Sequence, residues 1–324
     1  MRRIVPLLLM LACSVTAAET ELKMKMFPGV QSLPVIAAAE HGLFARQGLK
    51  VDVLYTMNSQ EQRDGLAKGE FQIAQSAVDN AIAMVELARA DVVIVAGGDS
   101  SMNEFIVQPD IRSYADFKGQ TLLVDAPNTA YAVQLKKILL NNGLREGTDY
   151  QILSVGRTGL RLQGMKENKA YKGAMLNLPF SLEAKAAGLT SMGRAVDLLG
   201  RYQGNGTIVM RNWAAGNRET LERYLAGLIE GTRWLLAPGN RQAAAKMLSE
   251  RFKVSPQIAA QAMEMIAEPR FGIAPDARLD MDGLRNVLAL RAEIEGTWGG
   301  KAPPPDRYVD LSYYNNAVKR VMRQ

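Results

Sequence analysis

One cysteine, Cys13, and one histidine, His41, are all that the 324 residues contain of the two side chains that most often hold zinc. A site built from several histidines is therefore impossible, and one thiol allows no disulfide within the chain. A Ser-His-Asp triad would have to use His41, and no G-x-S-x-G elbow occurs. Gly159 and Gly164 have P-loop spacing, but Met165 and Lys166 follow where Lys and Ser/Thr are required. No G-x-G-x-x-G follows a strand pattern either, so nucleotide chemistry has no motif here. Acidic residues are plentiful but nowhere grouped as a suggestive carboxylate pair. No block of five or more basic residues occurs, which argues against a nucleic-acid surface. The longest apolar stretch near the start, IVPLLLMLA, falls far short of the roughly 20 residues a membrane span needs.

That short stretch fits another purpose. Arg2 and Arg3 precede it, and small residues follow up to Thr16-Ala17-Ala18. A charged start, an apolar centre and a small-x-small end form a secretory signal over residues 1–18. The rival reading makes Cys13 a lipidated residue, but Met10 stands where the lipobox prefers Leu. Cleavage after Ala18 would remove the only thiol and lower the net charge from +6 to +4, since Arg2 and Arg3 leave with it. The remaining chain would suit two compact units of roughly 150 residues.

The exported part alternates between two periodicities. ELKMKMF places Leu22, Met24 and Met26 on one face of a strand. A helix follows at PVIAAAE, with Ser32 as a candidate N-cap and Pro34 in its first turn. LKVDVLY and FQIA are further strands, and DVVIVAGG is almost wholly apolar, as expected of a strand covered on both faces. Between them, Ser59 with Gln62 and Ser76 with Asp79 have capping-box spacing ahead of helical segments. A second βα series opens at TLLV and runs through AYAVQLKKILLNN, YQILSV, GLRLQGMKEN, KGAML and FSLEAKAAG. RYQGNGTIVM contains one more strand, and helices are predicted over 217–237, 240–251, 255–267, 280–295 and in LSYYNNAVKRVM. Strands alternating with helices in this way predict α/β architecture with doubly wound, parallel sheets.

Open α/β sheets bind ligands beyond the carboxyl ends of their strands, where helix N-termini offer free N–H groups. Four polar loops fall at such ends: Gln31 and Ser32 in PGVQS; Gln75, Ser76, Asp79 and Asn80 in QSAVDN; Asn128 and Thr129 in DAPNTA; and Asn177 in LNLPF. Ser32, Ser76 and Thr129 serve equally well as helix caps, and Asp79 is a structural residue on the same spacing. Arg157 in GRTG is a candidate partner for an anion. Phe27, Tyr131 and Phe180 lie near these loops as apolar walls or as core. Asn205-Gly206-Thr207 matches a glycosylation sequon and nothing more. His41 sits at a helix end before Gly42, where a capping role explains it without chemistry.

The stretch around that histidine, AAAEHGLFARQGLKVDV, resembles the signature of NMT1-like periplasmic substrate-binding proteins of ABC transporters, the sulfonate/nitrate/thiamine-precursor group. LAKGEFQIAQS is similar to the group's Gly-Glu-x-Asp-Ile-Ala element with Gln72 in place of Asp, and SYADFKGQTLLV to its Leu-Lys-Gly-Lys element. Residues 172–188 resemble its strand-Pro-helix element around Pro179. KENKAYKGAML lacks the acidic form usual in the group, and the cysteine-rich motif of the pyrimidine synthases is missing. The resemblance implies a type II, two-lobed Venus-flytrap fold. Lobe one would comprise 19–107 plus 207–324, lobe two 108–206, with hinges near IVQP and YQGNG. It further implies a periplasmic, monomeric, non-enzymatic protein without cofactor. Such a protein delivers a small molecule to an ABC permease in the inner membrane. The expected ligand is a sulfonate, carboxylate or nitrate-like anion; a neutral heterocycle such as a thiamine-precursor pyrimidine is the alternative, as is an enzyme or sensor on the same scaffold. The expected contacts are Gln31, Ser32, Gln75, Ser76, Asn80, Asn128, Thr129, Arg157 and Asn177.

Overall fold

A computed structural model describes residues 19–323; residues 1–18, expected from sequence to be a secretory signal, and Cys13 among them lie outside the described residues. Ten strands form two five-stranded sheets. In chain order they are β1 (Thr20–Met26), β2 (Leu49–Tyr55), β3 (Ile73–Ala77), β4 (Val92–Ala96), β5 (Asn103–Val107), β6 (Gln120–Val124), β7 (Tyr150–Ser154), β8 (Tyr171–Asn177), β9 (Thr190–Arg194) and β10 (Asn205–Met210). The first sheet has the order β2-β1-β3-β10-β4 and the second β7-β6-β8-β5-β9. Each is built the same way, with the strand that adjoins a crossing, the last of the first sheet (β10) and the first of the second (β5), placed between two others as the fourth member of the order. The inserted strands, β10 and β5, run antiparallel to both neighbours, so the sheets are mixed where an all-parallel pattern is expected from sequence. The fold is α/β and two-lobed, one lobe around each sheet.

Strand burial follows the apolar pattern. Leu22, Met24 and Met26 of β1 are buried, while Glu21 and Lys23 are exposed and Lys25 is half-buried. Val92–Ala96 is buried at every position although β4 ends the sheet, so both of its faces are covered. Asn103–Val107 is buried throughout as well and pairs with β8, so these five residues belong to the second sheet. The lobe boundary expected at 107 is thereby corrected, and the first crossing runs through residues 97–102. Two capping assignments also shift. Asn58, not Ser59, caps the helix Ser59–Lys68 by accepting from the Glu61 N–H at 2.8 Å. Ser76 lies inside β3, and the following helix starts from Ala77 with no side-chain cap. Thr129 and Ser255 do cap their helices, the latter with Pro256 at the first helical position.

His41 ends the helix Leu33–Glu40, its N–H donating to Ala37 O. The ring packs against Trp234, tilted by 35° with 4.0 Å between centroids. Gly42 then turns the chain at φ +65°, in the left-handed region that favours glycine. Helix Leu33–Glu40 packs against helix Arg218–Leu236 at Gly231, where an added Cβ would collide with the Pro34 carbonyl oxygen and lie 2.9 Å from Ala38 Cβ. In an exposed helix Gly→Ala gains close to 1 kcal/mol. Here the sign reverses: Gly231→Ala is expected to lose about 1–3 kcal/mol through overpacking, read as a lower urea midpoint at unchanged m-value.

Candidate functional site

The carboxyl ends of both sheets face each other, and direct bonds join the lobes across the cleft. Val30 N–H donates to Leu178 O at 3.1 Å, and Arg157 N–H to Met57 O at 2.9 Å. Asn177 Nδ2 donates to Gln31 Oε1 at 3.1 Å, and Ser59 Oγ to Asp125 Oδ2 at 2.7 Å. Arg291, on the helix Met281–Glu295, reaches the Asn128 carbonyl of the other lobe at 3.0 Å. Between these contacts lies a cavity of about 30 Å³, lined by Gln31, Asp99, Asn103, Tyr131, Asn177 and Asn205 among others. That volume admits one or two water-sized groups. A larger ligand needs the lobes to part.

The residues expected from sequence divide three ways. Gln31 and Asn177, 146 positions apart, meet in the cavity wall. Ser76, Asn80 and Ser59 form a buried chain, with Asn80 Nδ2 donating to Ser76 Oγ at 2.8 Å and Ser59 Oγ at 3.0 Å. This chain ends on Asp125, so it ties the lobes together beside the cavity without lining it. The remaining residues are engaged elsewhere. Ser32 Oγ donates to Gly29 O at 2.6 Å, and Gln75 Nε2 to Thr207 Oγ1 at 2.7 Å. Thr129 is buried, its hydroxyl donating to Ala126 O and accepting from the Ala132 N–H. Asn128 adopts φ +63°, which turns its carbonyl to Arg291. Arg157 is half-buried and outside the cavity lining.

Arg161, one turn further along, is a different case. It is fully buried, with Nη1 donating to Gly156 O and Nη2 to Thr158 Oγ1 at 3.0 Å and Met175 O at 3.1 Å. Its guanidinium lies 4.1 Å from the centroid of the Tyr131 ring, and Tyr131 itself lines the cavity. Its hydrogen-bond partners are all neutral, and Nε has none among the described residues. A buried guanidinium held this way keeps a positive field behind Tyr131.

Asp99 supplies the opposite charge. It lies in the first crossing, GGDSS, where its backbone carbonyl accepts from Gly204 N–H at 2.8 Å and so joins the two crossings. Burial pushes its carboxyl up to about 6, and what offsets this is a set of amides from Ser101, Asn205 and Met102. Oδ1 accepts from the Ser101 N–H at 2.8 Å; Oδ2 is buried, with the Asn205 and Met102 amides near the carboxylate but no hydrogen bond closed on this oxygen among the described residues. The one sequence signal for this residue is the polar, glycine-rich break between the strands VVIVA and NEFIV, which reads as a turn.

Residues 16–249 match the NMT1-like family. A search of curated protein sequences finds no match. Among solved structures, the periplasmic nitrate-binding protein of Synechocystis PCC 6803 superposes with TM-score 0.78 at 15% identity, covering 94% of this chain and 90% of that one. The periplasmic aliphatic sulphonate-binding protein of Escherichia coli gives 0.69 at 16%, covering 90% and 92%. A desulfurization enzyme gives 0.65 at 14%, covering 92% and 99%. At these identities the structural likeness is one of fold. The chain belongs to the NMT1-like family, and its two facing α/β lobes have the architecture of the periplasmic binding proteins.

Proposed function

We propose that the protein is an extracytoplasmic solute-binding protein, exported behind residues 1–18, that holds a small molecule between its lobes and delivers it to an ABC permease. The observation that carries this reading is the cavity where Gln31 of one lobe meets Asn177 of the other: a ligand there touches both lobes at once. Such a ligand binds the closed arrangement better than the open one and shifts the population accordingly. The hinges are the crossings through 97–102 and 200–204, and the protein works as a monomer, without cofactor and without turnover. A ligand that carries an acid group would place it toward Tyr131 and Arg161, the site's buried positive charge; this favours sulfonates and carboxylates over nitrate. An enzyme on the same scaffold would need an acid or base poised over a reacting bond.

The test is a thermal-shift screen of the chain from residue 19 against sulfonates, carboxylates, nitrate and pyrimidines. A true ligand at 100 times its Kd stabilises by about 2.7 kcal/mol. Gln31→Ala and Asn177→Ala are expected to weaken that ligand's binding while leaving the unliganded melt nearly unchanged. Unaltered affinity in both variants would remove the cavity as the site.

A further inference from the structure

The geometry points to a ligand that presents an N–H group to the hinge end of the cleft, where Asp99 and Asn177 accept it. This rests on the cleft being the solute site and adds the chemistry that selects the solute. Among the described residues, two that line the cavity have a buried oxygen with no hydrogen-bond partner: Oδ2 of Asp99 and Oδ1 of Asn177. Both are acceptors. Leaving such a group unpaired costs its full desolvation, so each marks a place where a donor belongs.

The placement of both oxygens is specified by their neighbours. Gln31 Nε2 donates to Pro28 O at 3.3 Å, which leaves Gln31 Oε1 to accept from Asn177 Nδ2. Asn177 must then turn Oδ1 the other way. Ser101 adopts φ +60°, unusual for a residue with a side chain, and its N–H pins Oδ1 of Asp99. Gly204 leaves room for the carboxylate, since a Cβ there would collide with Asp99 Oδ1 and the Ser101 nitrogen. A bare anion such as nitrate offers only acceptors and would set negative oxygens against a buried carboxylate. An amine, an amidine or an amino-substituted ring supplies the N–H donors that these oxygens lack. Asp99 also holds Gly204 through its backbone, so the contact that selects the ligand lies on the hinge itself.

The experiment is calorimetric titration of the chain from residue 19 with matched pairs that differ in the nitrogen. Suitable pairs are 2-aminoethanesulfonate against ethanesulfonate, β-alanine against propionate, and 4-aminopyrimidine against pyrimidine, with nitrate added alone. The N–H-bearing member is expected to bind about 100-fold more tightly, the scale of a hydrogen bond to a charged group. Asp99→Asn is expected to abolish that preference, and Asn177→Ala to reduce it, with both variants melting cooperatively. Equal affinity within pairs, tight binding of nitrate, or a preference that survives both substitutions overturns the assignment while leaving the solute site intact. If no member of any pair binds a cooperatively folded protein, the solute site falls and the assignment with it.

Discussion

Replacing Arg291 by alanine is expected to destabilise the protein by about 3–5 kcal/mol at neutral pH, with the loss shrinking as the pH falls. Arg291 is 1% exposed and serves three acceptors: Asp79 Oδ1 at 3.1 Å, Glu295 Oε2 at 2.7 Å and the Asn128 carbonyl. Asp79 is wholly buried and takes a second bond from the Tyr202 hydroxyl at 2.9 Å. Burial holds the Asp79 carboxyl above its ordinary range, and Arg291, followed by Tyr202, pulls it back. Without the guanidinium, burial is less opposed and the folded-state value rises further. Burial likewise raises Glu295, with Arg291 again the largest opposing influence. A carboxyl whose folded value exceeds its unfolded value contributes its full stability below the unfolded value and loses it as pH rises through the folded one. The Arg291→Ala deficit should therefore be smallest near pH 4 and largest at pH 8, measured by urea denaturation. Asp79→Asn in the same background should recover part of it. A deficit that ignores pH and is not rescued would mean that Arg291 acts by packing alone.

Asp99→Asn should do the reverse: at pH 8 it is expected to stabilise the unliganded protein by up to about 3 kcal/mol. Burial raises Asp99 from 3.8 to about 6. At about 1.4 kcal/mol per unit, ionising it in the folded protein costs roughly that amount relative to the unfolded chain. Its favourable contribution is complete below pH 3.8 and is lost as pH rises through about 6. Asparagine cannot ionise, and its Oδ1 still accepts from the Ser101 N–H. The advantage of the variant should thus vanish near pH 4, grow between pH 4 and 6 and be complete above it, read as melting temperatures across that range. Identical pH profiles for the two proteins would show that the carboxylate is not strained by burial. A substitution that raises stability while abolishing the preference for N–H ligands is the behaviour of a group kept for binding at the expense of the resting fold.

Much of the architecture can be read along the chain because its evidence is local. Val92–Ala96 shows its double coverage in composition, and the helix Ala130–Asn141 shows its face, its Thr129 cap and its glycine stop within fifteen residues. Strand β9, TSMGR, has no run of branched apolar residues and remains half-exposed at the sheet edge; nothing in its composition announces it. The helix starts at Asn58 and Ala77 miss by one residue, because several polar residues in a row offer equivalent spacings. The cleft is legible only in part. Gln31 and Asn177 follow from the rule that ligands collect at strand ends. Asp99 does not, since its environment is assembled from residues 101, 204 and 205 by two crossings that are a hundred positions apart. Arg161 escapes for a related reason. A buried and an exposed arginine look alike in a helix as weakly patterned as GLRLQGMKEN.

The inserted strands have a further consequence, for the order in which the protein acquires its structure. All five strands of the second sheet lie within residues 103–194, one uninterrupted stretch. The first sheet places β10 between β3 and β4, so it stays divided until residues 205–210 arrive. A chain emerging from its amino end therefore exposes the unpaired edges of β3 and β4 while the later lobe already has every partner it needs. Contacts of long sequence separation form late, since loop closure must precede them. The lobe that begins the polypeptide is the one that finishes last, and its interval of open edges is when association with other chains is most favoured.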